Sequence, residues 1–210
     1  MSSPIILVGG GGHCASCIEV ILSSDTYSIF GIIDGTDKLN EQVLGIPVIG
    51  SDAELLAFKE SCEFALITVG FVKTSETRKR LFDSLIQIGY ELPVIIANTA
   101  YKSVECEISN GTILMHQVMV NARASIGANC IINSKALIEH DATIGNNCHI
   151  STGAIVNGNC TIGDDCLIGS GSVIKHGVEI VSGCVIGAGA VVVSSITSPG
   201  VYVGNPVRKI

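Results

Sequence analysis

The amino-acid sequence predicts an α/β domain of Rossmann type over residues 1–105, followed by a parallel β-helix with a C-terminal tail over residues 106–210. Three observations carry the prediction. Stepping by six from Ile108 to Val192 meets Ile, Leu or Val at each of fifteen consecutive positions. In the first hundred residues, short apolar runs alternate with amphipathic stretches, and four consecutive glycines follow the first run. The composition is 47% apolar with 24 Gly but only 4% aromatic, which suits many short strands joined by tight turns.

The elements of the first half follow in order. Ile5–Val8 reads as an apolar strand, Gly9–Gly12 as a turn, and the stretch to about Leu22 as a helix. Phe30–Ile33 is a second strand ending at Asp34, and Ser51 can cap a helix over Asp52–Glu60. Phe64–Val69 is a strand, Ser75–Ile88 an amphipathic helix, and Leu92–Ile96 a further strand of the same sheet. Gly10-x-Gly12-x-x-Ala15 after a strand, with an acid at Asp34, fits a dinucleotide-type fingerprint. Its physical content is a glycine turn that lets a phosphate approach the N–H groups of a helix N-terminus. Cys14 and Cys17 form a C-x-x-C read as helix packing, since no second such pair exists to complete a zinc site.

In the second half each hexad reads as a short strand plus a corner. The aliphatic residue points inward, and three hexads close a triangular coil, giving about five coils. Four residues after each aliphatic position the side chain is mostly small. Cys130, Cys148, Cys160, Cys166 and Cys184 stand there and are read as small interior hydrophobes.

Charge and cysteine usage exclude several classes. Twelve basic against 19 acidic residues give a net charge of −7, and Trp is absent, which speaks against nucleic-acid binding. No apolar run is long enough to span a bilayer. No leader is legible at the N-terminus, and nine cysteines is an odd number. Reduced thiols and a cytoplasmic location are therefore expected.

Among the five histidines, His140 follows Ile138-Glu139 and precedes Asp141, so it is expected on a coil exterior beside carboxylates that can orient an imidazole. His149 lies half a coil further on. His176 stands 36 residues beyond His140, two coils up and ~10 Å along the axis, a separation expected to keep the two apart. The scattered histidines do not suggest a metal site.

Taken together, Gly-Gly-Gly-Gly-His13, Ile33-Asp34, Ile67-Thr68-Val69-Gly70, Ile138-Glu139-His140-Asp141, His149-Ile150-Ser151-Thr152-Gly153-Ala154 and the closing Gly204-Asn205-Pro206 resemble the NeuD/PglD-type sugar acyltransferases across nearly the whole chain. The resemblance implies a left-handed β-helix, a homotrimer with active sites between subunits, and acetyl transfer from acetyl-CoA to a nucleotide-linked sugar. The favoured acceptor is the 4-amino group of a UDP-linked 4-amino-4,6-dideoxy sugar, used in bacterial surface glycan or glycoprotein synthesis. It implies His140 as general base with Asp141 its acidic neighbour, and His149, Gly158, Ser170 and Ala188 at acetyl-CoA. Gly11, Gly12, His13, Asp34, Gly35 and Gly70 fall to the nucleotide sugar. Gly35 stands where some relatives carry a second acid, and the loop from Phe71 to Thr77 is longer than theirs.

Direct transfer in a ternary complex follows, since no cysteine occupies a nucleophile position. O-acetylation of a sialic-acid-like sugar needs the same base, and a non-catalytic nucleotide-sugar-binding scaffold is the alternative from another class. An NAD oxidoreductase is disfavoured because a β-helix supplies no dehydrogenase domain.

Overall fold

The computed structural model describes residues 2–71 and 74–210. Val72 and Lys73, inside the Phe71–Thr77 loop, lie outside the described residues, as does Met1. The first half contains β1 (Ser3–Val8), α1 (Gly12–Leu22), β2 (Tyr27–Ile33), β3 (Gln42–Val43), β4 (Ile46–Gly50), α2 (Leu55–Phe58), β5 (Phe64–Ile67) and α3 (Glu76–Ile88). Its sheet runs β3-β4-β2-β1-β5. Four strands are parallel, and β3 folds back antiparallel on β4. The β3–β4 turn uses Leu44 and Gly45, both with positive φ, as a two-residue hairpin requires. Ile5–Val8 are buried on both faces, as befits the centre of a parallel sheet. With β1 between β2 and β5, the crevice of this Rossmann order opens at the carboxyl ends of β1 and β5.

The helix expected over Asp52–Glu60 is shorter. Ser51 closes a capping box with Glu54, a 3-10 turn follows, and α2 ends at Phe58. The strand expected over Leu92–Ile96 exists as Ile95–Ile96, but it pairs with Ile113–Leu114 and not with the first sheet. Coil pairing thus starts before residue 105, and we place the division between the halves ahead of Ile95.

From there the chain winds as a left-handed β-helix with three stacks of parallel strands, one of which ends in an antiparallel pair, Gly200–Val203 with Arg208–Lys209. Face C contains Ile113–Leu114, Ile131–Ile132, His149–Ile150 and Leu167–Ile168; face D contains Met119–Val120, Leu137–Ile138, Ile155–Val156 and Val173–Ile174; face E contains Ser125–Ile126, Thr143–Ile144, Thr161–Ile162 and Glu179–Ile180. Partners are offset by eighteen residues, as in Ile131↔His149 and Leu137↔Ile155. Every sixth residue from Leu114 to Val192 is buried, and Ile108, in the first coil, is half buried. Lys102 occupies the next inward register below Ile108 and is exposed, because an end coil has no further coil beneath it.

The corners have their own period. Residues 111, 117, 123 and onward by six to 189 all have positive φ, and most are Gly, Asn or Asp, the types that enter this conformation most readily. The interior cysteines are buried, as expected of small inward-facing side chains. They also donate hydrogen bonds to corner carbonyls one coil on: Cys130 to Gly145 O at 3.1 Å, Cys148 to Gly163 O at 3.1 Å and Cys160 to Lys175 O at 3.0 Å. Thr112, one coil below Cys130, donates to Gly127 O in the same way.

Face C is the one the first half covers. The side chains of α1 and those of the coil share one apolar cluster that includes Cys14, Cys17, Ile18, Ile113 and Ile131. Face E is polar outside, through Glu107, Thr143, Thr161 and Glu179. Face D presents Tyr101, Met119, Leu137, Ile155, Val173 and Val191, all apolar and partly or fully exposed.

Ile162 is 1% exposed in the middle of the stack. Replacing it by Asp buries an unpaired carboxylate, at a cost of roughly several kcal/mol. Ile162→Asp should lose the cooperative thermal transition seen by circular dichroism. A variant melting at the wild-type temperature would contradict the inward assignment.

Candidate functional site

Two regions carry chemistry-bearing residues. The first is the crevice of about 430 Å³ lined by Gly9, Gly11, Gly12, His13, Asp34, Lys38 and Thr68–Gly70. Its four glycines divide into two kinds. Gly9 has φ +110° and lies against Val69, and a Cβ on Gly10 would fall 2.8 Å from Asp34 Oδ2, so both are required by the protein's own packing. A Cβ on Gly11 or Gly12 would meet nothing within 4 Å. Those two leave a bare surface at the start of α1, where Gly11 caps the helix with no side-chain hydrogen bond. Such a surface, with helix N–H groups behind it, suits a phosphate.

Asp34 braces this loop. Its Oδ2 accepts from Gly10 N–H at 2.7 Å and from Lys38 Nζ at 3.0 Å, and its Oδ1 accepts from Gly35 N–H at 2.7 Å. Burial works against the charged form, but the bonds from Gly35, Lys38 and Gly10 outweigh it and hold the carboxyl below its ordinary pKa. Lys38 was not legible as a crevice residue; its position four after Asp34 is the only local signal. Gly70 lies over His13, whose ring also touches Cys17 Sγ at 3.5 Å. Burial first, then the charge of Arg78 and the neighbouring His149, push His13 down to about 4, so it is neutral at physiological pH.

The second region is the corner between faces D and E. His140 Nδ1 donates to Asp141 Oδ2 at 2.7 Å. Arg123 clamps the same carboxylate from one coil below, Nε to Oδ1 at 2.7 Å and a terminal nitrogen to Oδ2 at 3.0 Å. Hydrogen bonds from Arg123 and then His140 depress Asp141 to about 2, so it is ionised throughout the working range. With Nδ1 committed to Asp141, Nε2 carries the free lone pair. That atom leans over Gly158, where a Cβ would come within 2.8 Å of both Cε1 and Nε2. Arg123 was missed in the sequence, although its offset of eighteen residues from Asp141 marks it as the stacked neighbour.

The separation expected between His140 and His176 does not hold for their side chains. Gly158 occupies the same position in the coil between them, and across that gap the ring centroids come within 6.4 Å. His176 Nε2 in turn meets Asn159 Nδ2 at 3.3 Å.

The remaining candidates are dispersed. Ser170 and Ala188 stack eighteen residues apart on the C/D corner, with Ser170 Oγ 2.9 Å from Ser151 Oγ. His149 is buried on face C, where Nδ1 donates to Phe71 O at 2.9 Å, Nε2 faces Asn133 Nδ2 at 3.2 Å, and the ring packs edge-on against Phe71. Burial lowers its pKa. The structure therefore unites His140, Asp141 and Gly158, and unites Gly11, Gly12, His13, Asp34 and Gly70 around the crevice, with Gly35 bonded to Asp34 but outside the crevice lining, while His149 joins the two halves. Among the described residues no cluster of three or more His, Cys, Asp or Glu could hold a metal ion, and no helix is long and apolar enough to cross a membrane.

Comparison with known proteins agrees with this division. Residues 4–85 match the PglD N-terminal domain, and residues 123–194 match the bacterial transferase hexapeptide repeat in three overlapping segments. PerB from Caulobacter crescentus, solved in complex with CoA and GDP-perosamine, is 27% identical over 99% of this chain and 97% of its own, with a TM-score of 0.92. The acetyltransferase domain of PglB from Neisseria gonorrhoeae, in complex with acetyl coenzyme A, is 28% identical over the whole of both chains, also with a TM-score of 0.92. WeeI from Acinetobacter baumannii is 25% identical over both whole chains with a TM-score of 0.85. None of the curated protein sequences matches.

Gly158→Ala tests the geometry of the D/E corner. The added methyl occupies the space of the His140 ring, at a position whose φ is not in the left-handed region. The variant should melt like wild type while the acetyl-transfer kcat falls about 10–100-fold, the scale expected for a displaced catalytic group. An unchanged kcat would show that the ring does not need this position.

Proposed function

We propose that this chain, which matches the PglD N-terminal domain and the hexapeptide repeat and resembles solved acetyl-CoA-dependent sugar acetyltransferases along its whole length, N-acetylates the 4-amino group of a nucleotide-linked 4-amino-4,6-dideoxy sugar. The observation that carries the reading is the chain Arg123–Asp141–His140, which leaves one imidazole nitrogen free at an exposed corner. An amine attacks a thioester only as the neutral base and must shed a proton as the C–N bond forms. His140 Nε2 takes that proton. The carbonyl oxygen becomes an oxyanion, for which the Gly158 N–H is the candidate donor. Collapse of the tetrahedral intermediate breaks the C–S bond, and the CoA thiolate leaves and is protonated, giving amide and free CoA.

The crevice takes the nucleotide sugar, with the diphosphate on the bare Gly11–Gly12 surface and His13 and Gly70 beside the sugar. UDP is the carrier expected from the resemblance, and the GDP-perosamine bound by the Caulobacter protein puts GDP on the same panel. Acetyl-CoA lies along the coil edges that carry Gly158, Ser170 and Ala188, with His149 acting through the wall it shares with Phe71.

One chain leaves this site unfinished. The first half packs on face C, and His140 stands on the D/E edge, opposite that face. A crevice on one copy reaches a His140 only on another. Face D, apolar and uncovered, borders the His140 edge and supports the association of copies that this requires, in a trimer.

The reading is tested with acetyl-CoA and a panel of UDP-, dTDP- and GDP-linked 4-amino sugars, with sialic acids as hydroxyl acceptors. N-acetylated nucleotide sugar should form at the expense of acetyl-CoA, and His140→Ala should retain its fold and lose about 10²–10⁴-fold in kcat. Turnover on sialic acids alone would favour O-acetylation, and no turnover on any acceptor would favour a binding scaffold. Light scattering at micromolar concentration should give three times the 21.8 kDa chain mass; a monomer would contradict the shared site.

A further inference from the structure

Arg78, on the first turn of α3, is the largest side chain in the interior and only 1% exposed. Its hydrogen bonds all go to neutral carbonyls. Nη1 donates to Ile67 O at 2.7 Å and Val69 O at 3.1 Å, Nε to Asn129 O at 3.0 Å, and Nη2 to Gly111 O at 3.4 Å. The Ile67 carbonyl ends β5 and that of Val69 lies two residues beyond it, and the other two belong to E/C corners of the coil. The cage is reciprocal, since Asn129 Nδ2 donates to Arg78 O.

No carboxylate among the described residues pairs with this guanidinium. Asp165, which crosses the same junction, is taken by Ser75 Oγ at 2.8 Å and Lys79 Nζ at 2.9 Å. Burial lowers the pKa of Arg78 to about 10, which leaves it charged at neutral pH. An uncompensated buried cation is costly, and carbonyl dipoles solvate it without cancelling its charge. The charge sits directly behind the crevice: Val69, whose carbonyl it holds, lines that crevice, and so does His13, which feels the same charge.

We propose that Arg78 is a positioning residue for the anionic part of the crevice ligand: its unbalanced charge draws a diphosphate onto the Gly11–Gly12 surface, and its carbonyl cage fixes the Val69–Gly70 wall against the coil. The inference rests on the reading that a nucleoside diphosphate sugar occupies this crevice. It adds a residue that touches no ligand and lies outside the glycine fingerprint. Arg78 faces the E/C corners, whereas Gly158, Ser170 and Ala188 of the residues assigned to acetyl-CoA lie on the D/E and C/D corners and only His149 stands on face C within reach of the Arg78 charge, so the two ligands should respond differently.

Calorimetric titration of UDP and GDP, of uridine and guanosine, and of CoA into wild type, Arg78→Gln and Arg78→Lys separates charge from packing. Arg78→Gln should weaken diphosphate binding about tenfold, the scale of one charge pair in a partly screened interior, and leave nucleoside and CoA affinities within about twofold. Arg78→Lys, which keeps the charge, should stay within about threefold of wild type for all ligands. Equal loss of diphosphate, nucleoside and CoA in Arg78→Gln, or no loss at all, would overturn the proposal. Should Arg78→Gln fail to fold, Arg78→Lys decides: retained diphosphate affinity supports the role of charge, and a tenfold selective loss overturns it. A wild type that binds neither UDP nor GDP would remove the reading of the crevice, and this inference with it. Diphosphate binding that is indifferent to Arg78 removes the inference alone.

Discussion

Each corner of the coil turns through one residue in the left-handed conformation, and this happens every six residues from Gly111 to Gly189. The corner fixes the length of the hexad, and three hexads fix the coil at eighteen residues. Every side chain on the helix then has its stacked neighbour eighteen residues away. The Arg123–Asp141 clamp, the Ser125–Thr143 contact and the Asn129–Asn147 bond all follow from that number. So does the candidate base: His140 has room to lean because the residue eighteen positions on is Gly158. Asp141 answers two demands, since its type tolerates the corner conformation and its carboxylate orients the imidazole.

The two halves meet through buried polar contacts as well as apolar ones. Cys14, Cys17 and Ile18 of α1 join the apolar cluster of the coil, while Arg78 and His149 cross the junction with hydrogen bonds to backbone carbonyls. An unpaired buried polar group is expensive, so these bonds set the register of one half on the other more sharply than apolar contact does. The same junction forms one wall of the crevice, so the site inherits its rigidity. Face D, by contrast, has apolar residues and no cover from the described residues of its own chain.

Much of this was legible in the sequence. The fifteen-fold aliphatic period specified inward positions and the exterior placement of His140, but not the earlier start of the coil at Ile95. The glycine run after a first strand placed the crevice, because a tight strand-to-helix turn has few other solutions. What was not legible depends on contacts between distant residues. Nothing local in Leu92–Ile96 shows that Ile95–Ile96 joins the coil and not the first sheet, since a short apolar strand fits either. The interior cysteines read as small hydrophobes because their hydrogen bonds run to carbonyls fifteen residues on. The approach of His176 to His140 escaped an estimate based on backbone spacing, which ignores how far two side chains lean into a gap left by glycine. Arg78 looked like one more charge on an amphipathic helix.

The central claim is that the crevice of one copy works with His140 of another, and mixed oligomers test it most directly. His140→Ala lacks the base but keeps the crevice. Gly11→Trp fills the crevice, at a position where a Cβ meets nothing within 4 Å, but keeps the base. Each variant alone should be nearly inactive. After the two are unfolded together and refolded at equal concentration, random association should restore about a quarter of the wild-type rate, because a quarter of the crevice–base pairs then combine two intact partners. Recovered acetyl transfer at that level is the result predicted here. A mixture no more active than the separate variants, with mixed oligomers shown to have formed, would place crevice and base in the same chain and contradict the account.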